Sequence, residues 1–512
     1  MKGAGYSPWK MTEKWQERWE QEKVFVACPD PSKPKFYCYE FPPFPSGSLH
    51  MGHVRNYVIG DATARFKRLM GWNVLYAQGF DSLGLPVEEA ALKAGETPKR
   101  WVEHCISKMA KELVRLGLSY DHTRFISYHD PEYYRWTQWI FLKLYEAGMV
   151  YRSEMWVGWC EKCRTAVAAE LIEDGLCWRC GSAACGKKLF QWFIDVKQIA
   201  PELLDGLNKV VFQKSANAIQ RNWIGRKEGY YVTIPVEESS VELEAFTTTI
   251  ELLYGVTFLA VAPENPCLLD IVKAAPNESN LLRSVRRMCA TPRIERLKAS
   301  QQKGIFTGRF GINPLNGNRI PIFVASFVVG EFGAGVVLGC PAHDKKDFNF
   351  AKAMNLPIIR VVDSHDSGFE STDEPYVGEG VMINSACYDG KETAEAAKAI
   401  ASDLIKKGCA RKGVSFSVKN WCISRQRYWS VPIPIIFCQR CGMVPVRESD
   451  LPVELPTEGV DLKSLGNPLE HHAGFVNCDC PNCGRKARRE TSTLDTFVNS
   501  SWAYLRYCNT DH

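Results

Sequence analysis

The chain reads as an α/β protein with a parallel sheet, interrupted by a mostly β insert and by cysteine-rich ribbons. Three observations predict this. A strand, a loop, a helix and a second strand follow one another between residues 35 and 81. A texture of alternating Thr, Val and Gly begins near residue 226. CxxC pairs lie on both sides of that stretch. The first observation is the pattern of a βαβ unit, and the third is the spacing of metal-binding knuckles.

Taken in order, "KFYCYEFPPFP" (35–45) predicts a short buried strand running into a Pro-rich loop. Val54, Val58, Ala62, Phe66 and Leu69 then recur at helical spacing, and Gly71 stands where a glycine ends a helix. "NVLYAQGFD" (73–81) predicts the next strand. Ile106, Met109, Leu113 and Leu116 mark a second amphipathic helix, and residues 133–147 a third. A cysteine-rich insert occupies about 155–190. From 226 to about 418, segments such as "YYVTIPVE", "RIPIFVASFVVG" and "GAGVVLGCPAHD" predict a mostly β insert with some helix. "VKNWCISRQRYWSVPIPIIF" returns to α/β texture, and a second cysteine set lies between 438 and 483. There is no internal repeat and no low-complexity tract.

Bulk properties narrow the function classes. The 512 residues are 45% hydrophobic and 24% charged, which suits a soluble globular protein of about three domains. A net charge of +5 tolerates a polyanionic partner without requiring one. No apolar run is long enough for a membrane span, and the N-terminus has no apolar signal core. Many of the twenty cysteines fall in CxxC pairs, which points to metal sites in a reducing compartment, and the cytoplasm is expected.

Cys160 and Cys163 pair in "WCEKC", and Cys177 and Cys180 in "CWRC". Four thiolates at such spacing can close a tetrahedral Zn2+ site, with metal binding supplying folding energy to a small insert. The second set is Cys438 and Cys441 with Cys480 and Cys483, and Cys478 competes as a ligand. Both sites read as structural, because four thiolates leave no open position for chemistry.

The loop "PFPSGSLHMGHVRNY" (43–57) carries His50 and His53 three positions apart, on one face of a helix's first turn. A helix N-terminus favours anions, and imidazoles there can donate hydrogen bonds to a phosphate whose charge grows in a transition state. Gly52 lets a nucleotide approach the backbone closely. The two histidines could instead bind a metal, though no third ligand stands nearby, or simply satisfy the helix start.

Here the residues resemble those of a known family. "PSGSLHMGHVRNY" is similar to the HxGH motif of class I aminoacyl-tRNA synthetases in its leucyl form. "GFDSLGLPVE" (79–88), "NWIGRKEG" (222–229), "PAHDKKDFNFA", "WCISRQRYWSVPIP" (421–434) and "RRETSTLDTFVNSSWAYLRY" (488–507) resemble further leucyl segments. The resemblance implies a Rossmann-type catalytic domain, first half 1–225 with a zinc ribbon at 155–190. It implies an editing domain at 226–418, and a second catalytic half at 419–512 with a cysteine insert at about 437–488. It implies activation of leucine with ATP and Mg2+, and transfer to tRNA(Leu). By carry-over, His50 and His53 stabilise the transition state, and ATP contacts fall on Pro45, Gly47, His50, Gly52, His53 and Asn56. Phe41, Pro43 and Phe44 line the leucine pocket, and Asp81 anchors the leucine ammonium group. Thr247, Thr248, Leu252, Asp344 and Asp347 fall in the editing site.

The chain also departs from the family. Its threonine loop reads "TTTIELLYG" where the family has a form like "TTRPDTLFG". Thr249 replaces an arginine, Leu252 replaces a threonine that spares leucine from hydrolysis, and Ala334 replaces another threonine. A weakened or retuned editing domain is expected. Ser430 and Asn499 replace a usual glycine and a usual acid. The family's lysine-rich loop and anticodon domain have no counterpart in these residues, so a companion chain carrying them, or a longer sequence, is expected. The alternative reading is a non-activating, synthetase-derived protein that binds tRNA or edits in trans. A zinc-ribbon adaptor would leave the histidine loop unexplained, and a small-molecule nucleotidylyltransferase has no use for the insert.

Overall fold

The computed structural model describes residues 7–510, apart from 163, 168–171, 174, 178–179, 274–277, 292–295, 297–303, 329, 331–334, 365–373, 463 and 465. By compactness the chain forms two units, Met1–Val150 with Ile423–His512, and Tyr151–Cys422. The expected domain limits at 225/226 and 418/419 both fall inside the second unit.

The first unit begins with helix α1 (Pro8–Gln21). Strand β1 (Lys35–Cys38) pairs in parallel with β2 (Asn73–Tyr76), Lys35 opposite Asn73 and Cys38 opposite Tyr76, and helix α2 (Met51–Leu69) connects them. This is the βαβ unit that the sequence predicts. β1 stops at Cys38, and the proline-rich loop begins at Pro42. The expected strand 73–81 is split. β2 ends at Tyr76, and β3 (Gly79–Phe80) pairs in parallel with β4 (Ile126–Ser127). Between them the Gln78 side chain accepts the Gly79 N–H at 3.0 Å.

Helix α2 ends with Gly71 at φ +81°, where its N–H donates to the Arg68 carbonyl at 2.9 Å. The apolar residues that reveal this helix do not face the core. Tyr57 and Ala64 are buried, while Val58, Ala62, Phe66 and Leu69 are exposed. The core beneath is made by Tyr57, Val74, Tyr76, Phe80 and Tyr120, with Met109 and Leu113 from α4 (Pro98–Arg115). α4 packs on α3 (Leu85–Ala94). α5 (Pro131–Glu146) buries Gln138, whose amide donates to the carbonyls of Pro432 and Val453 and accepts the Val453 N–H. These bonds fasten the returning segment to the first half of the unit. That segment adds a four-stranded antiparallel ribbon, in the order 442–445, 435–438, 486–489, 477–479.

The second unit is mostly antiparallel. Glu242–Thr247, Arg226–Pro235 and Ala410–Phe416 form one sheet. Gly304–Ile312, Arg319–Ala325, Phe258–Val261 and Val336–Gly339 form another, with one parallel pair. The insert is entered and left side by side, since Arg226 pairs with Phe416. Gly225 makes this possible at φ +59°, where a Cβ would lie 2.6 Å from that of Ser417. No helix among the described residues is long and apolar enough to cross a membrane.

Candidate active site, editing-like site and cysteine clusters

The loop before α2 is held from below. The Leu49 N–H donates to the Glu112 carboxylate at 2.8 Å, and the Tyr57 hydroxyl donates to the Phe41 carbonyl at 3.3 Å. His50 is the N-cap of α2. Its Nδ1 accepts the Gly52 N–H at 3.1 Å, and His53 Nδ1 accepts the His50 N–H at 3.2 Å. The result is a reciprocal capping box built from two imidazoles. The rings stack at 3.8 Å with 19° between planes, and His53 stacks in turn on Tyr57.

Two expectations change here. The N–H groups of His50 and Gly52 are taken by the rings, so they are not free for an anion. Because each Nδ1 is an acceptor, each neutral ring carries its proton on Nε2, and these N–H groups become the donors on offer. Gly52 first makes room for His50, since a Cβ there would lie 2.9 Å from His50 Cε1. Burial and the neighbouring His50 lower the pKa of His53.

Asp81 follows β3, and its N–H donates to the Pro43 carbonyl at 3.1 Å. Its Oδ1 is buried with no hydrogen-bond partner among the described residues. Burial pushes its pKa up to about 7, against a hydrogen bond from Ser500. Tyr39, Tyr133 and Tyr507 lie within electrostatic range of Asp81, and the first and last of these rings pack at 6.0 Å. A carboxylate oxygen without a donor, among aromatic rings, is suited to a cation. Pro43 and Pro45 are buried and Phe44 half-buried, but the Phe41 side chain is 69% exposed and lines no enclosed pocket. Gly47 has nothing within 4 Å of a built Cβ, and Asn56 is exposed.

Several groups in this unit stand outside the sequence expectations. Glu40 accepts hydrogen bonds from Tyr76 and Tyr120 at 2.8 and 2.7 Å, and burial raises its pKa. An acid inside the apolar run "KFYCYEF" was the available signal. Ser82 and His129 lie 2.8 Å apart, and burial lowers His129 to about 4. Trp429 donates to Glu88 and to the Ser82 carbonyl. Asn499 accepts from Thr137 and donates to the Tyr128 carbonyl, a pairing that a carboxylate could not complete. Ser430 donates to the Leu494 carbonyl.

In the second unit, Thr247 ends its strand and its hydroxyl lies 3.3 Å from that of Thr249. Thr248 is exposed. Asp344 caps the helix Lys345–Met354, accepting the N–H groups of Lys346 and Asp347. Asp347 is buried and accepts the Cys340 N–H at 2.8 Å, and burial pushes its pKa up to about 7. The Cys340 thiol reaches the Leu252 carbonyl at 3.6 Å. Leu252 and Asp347 are thus brought together through Cys340. Ala334 lies outside the described residues.

Cys438, Cys441, Cys480 and Cys483 place their sulfurs within 4.8 Å of one another, and Cys478 stands outside the group. Tetrahedral zinc with bonds of about 2.3 Å sets its sulfurs about 3.8 Å apart. The Cys438–Cys483 separation is 3.7 Å. The N–H groups of Cys441 and Arg440 point at Cys438 and lower its thiol to about 7. Cys160, Cys177 and Cys180 cluster likewise, while Cys163 lies outside the described residues. Both donor sets fit a zinc ion.

Two known families match this chain. The family of class I tRNA synthetases (I, L, M and V) matches residues 14–232, and the leucyl-tRNA synthetase editing domain matches 221–405. The chain is 44% identical over 508 residues to the leucine–tRNA ligase of Thermotoga maritima, covering 98% of this chain and 62% of that protein. It is 43% identical to the leucine–tRNA ligase of Syntrophobacter fumaroxidans, with 98% and 61% covered. The crystal structure of the Agrobacterium radiobacter K84 LeuRS–tRNA–LeuAMS ternary complex superposes with a TM-score of 0.83 at 36% identity, over 99% of this chain and 60% of that one. The chain therefore spans somewhat less than two thirds of the length of these relatives.

Proposed function

The chain belongs to the class I tRNA synthetases in their leucyl form, and on that premise we propose that it serves as the activating and proofreading portion of a leucine–tRNA ligase. The reaction joins leucine to the α-phosphate of ATP with loss of pyrophosphate, and then passes the leucyl group to tRNA(Leu). The observation that carries the reading is the paired-histidine cap. It offers two Nε2–H donors from a fixed base, and such preorganised donors are worth most where charge accumulates on a phosphate. Asp81 with its free Oδ1 would hold the leucine ammonium group, beside Pro43 and Phe44. No protein nucleophile is needed, because the leucine carboxylate attacks, and the chain supplies position and charge. Magnesium would accompany ATP, and the two cysteine sets would each hold a structural zinc. The remaining portion of a synthetase would come from a companion chain or from continuation of the same polypeptide.

Residues 226–418 are read as the editing domain, with Asp347 facing the ammonium group of a mischarged residue. Thr249 and Leu252 weaken or retune it, since the first offers no guanidinium and the second no hydroxyl. The deciding experiment is leucine-dependent ATP–pyrophosphate exchange by the zinc-loaded protein beside His53→Ala. Loss of about 10²–10³-fold in the variant supports the reading. Exchange unaffected by the substitution would remove the histidine cap from the chemistry.

A further inference from the structure

Glu40 is a buried acid that the reaction proposed above does not use. It follows β1 by two residues, within the apolar run "KFYCYEF". Its Oε2 accepts the Tyr76 and Tyr120 hydroxyls at 2.8 and 2.7 Å. Its carboxyl group also lies against the backbone of α2 at Gly60, where a Cβ would collide with it. Glu40 therefore joins the end of β2, Tyr120 beyond α4, and the middle of α2. Burying an acid costs desolvation free energy, and burial raises its pKa. The two tyrosine donors offset part of that cost, and each would be left unpaired if a hydrocarbon replaced the acid.

From this acid two short paths lead to the histidine cap. The Tyr76 hydroxyl also lies 3.2 Å from the Tyr57 carbonyl, and the Tyr57 ring meets the Tyr120 ring edge-on at 6.4 Å. Tyr57 stands three positions before Gly60, on the same inner side of α2. Its ring stacks on His53 at 5.8 Å with 12° between planes. Its hydroxyl holds the carbonyl of Phe41, the residue next to Glu40. The other titratable groups facing Glu40 are Cys38 and Asp61. Asp61 is held by Arg65 and the Ser119 N–H, and the Cys38 thiol by the Gly60 carbonyl.

We propose that Glu40 is a positioning residue for the phosphate step. Through Tyr76, Tyr120 and Tyr57 it sets the depth and rotation of the first turns of α2, and with them the place of the His53 Nε2–H donor. A group that stabilises a transition state must be held to within about 0.5 Å, and displacement by about 1 Å can cost about 10²-fold in rate. The inference rests on the proposed role of His53, and its test separates the two.

The test compares the unaltered chain with Glu40→Leu, Glu40→Gln and Tyr76→Phe. Glu40→Gln keeps an oxygen acceptor for both hydroxyls, and Tyr76→Phe keeps the shape of the core should Glu40→Leu fail to fold. NMR of the ligand-free, histidine-labelled chain reads the ring nitrogens of His53 without need of activity. The unaltered chain should show the Nε2–H tautomer. Glu40→Leu and Tyr76→Phe should shift the His53 resonances and admit the Nδ1–H tautomer, and Glu40→Gln should restore them. In leucine-dependent pyrophosphate exchange, kcat should fall roughly 100-fold in Glu40→Leu, with the KM for ATP unchanged. Glu40→Gln should recover most of that loss. A purely structural role would lower the Tm and leave the His53 resonances and kcat in place. That result would overturn the proposal, as would Glu40→Gln as impaired as Glu40→Leu. No exchange by the unaltered chain counts against the activity reading and leaves the resonances to decide the positioning role. Exchange lost with His53 undisturbed keeps the activity reading and sinks the positioning role.

Discussion

Asp81 is the residue at which the proposed leucine site would bear on stability. Its carboxylate is enclosed, and one oxygen has no donor among the described residues. Burial raises its pKa to about 7, above the unfolded value of about 3.9. Because the folded value is the higher one, its stabilising effect is complete below the unfolded pKa and is lost as pH rises through about 7. Asp81→Asn should therefore raise the Tm of the ligand-free protein by about 2–4 °C at pH 8, and by little near pH 4. Calorimetry at the two pH values checks this. The same variant should raise the KM for leucine at least about 100-fold in pyrophosphate exchange, since an amide cannot pair with an ammonium. In the unaltered protein that KM should climb as pH falls below about 7. A flat profile would mean that Asp81 does not meet the substrate.

At the scale of elements, the ribbons and α2 behave differently. The strands Ile435–Cys438 and Lys486–Arg489 are short, and their four cysteines converge without a large core of their own. Such ribbons depend on metal for folding. Elemental analysis should find two zinc ions per chain, and Cys441→Ala should leave one. Chelation should expose the remaining thiols of this ribbon to a thiol reagent, and one zinc in the unaltered chain would sink the two-site reading. The knuckle spacing was legible in the sequence because CxxC fixes local geometry. The choice of Cys480 over Cys478 was legible too, since only Cys480 stands in a CxxC pair, and its sulfur is the one that joins the cluster. Likewise the spacing of Val58, Phe66 and Leu69 identifies a helix, but periodicity reports that residues share a face and not what lies opposite it.

For the whole molecule, the insert and the first unit make separate demands. In the insert, Cys340 donates its N–H to Asp347 and its thiol to the Leu252 carbonyl. Incubation of the chain with mischarged norvalyl-tRNA should give hydrolysis at least about tenfold slower than the Thermotoga maritima enzyme, because Thr249 offers no guanidinium for a charge-assisted contact with the tRNA. Hydrolysis at an equal rate would overturn the weakened-editing reading. The charge of +5 is modest, so binding of tRNA should rest on local phosphate contacts. Affinity should then fall at least about tenfold between roughly 50 and 200 mM salt. Filter binding across that range measures it.

The sequence by itself determined the βαβ start, the β-rich insert, the thiol pairs and the family. These follow from short-range spacing, which a linear chain displays directly. Tertiary structure decided the rest. It made His50 a cap that holds the tautomer of its partner, left Phe41 in solvent, and made Asp344 a helix cap. It placed Glu40 under two tyrosine hydroxyls and gave Asn499 partners that need an amide. It also set the apolar side of α2 outward. Each of these depends on groups distant in sequence, and burial and hydrogen-bond partners exist only once those groups meet.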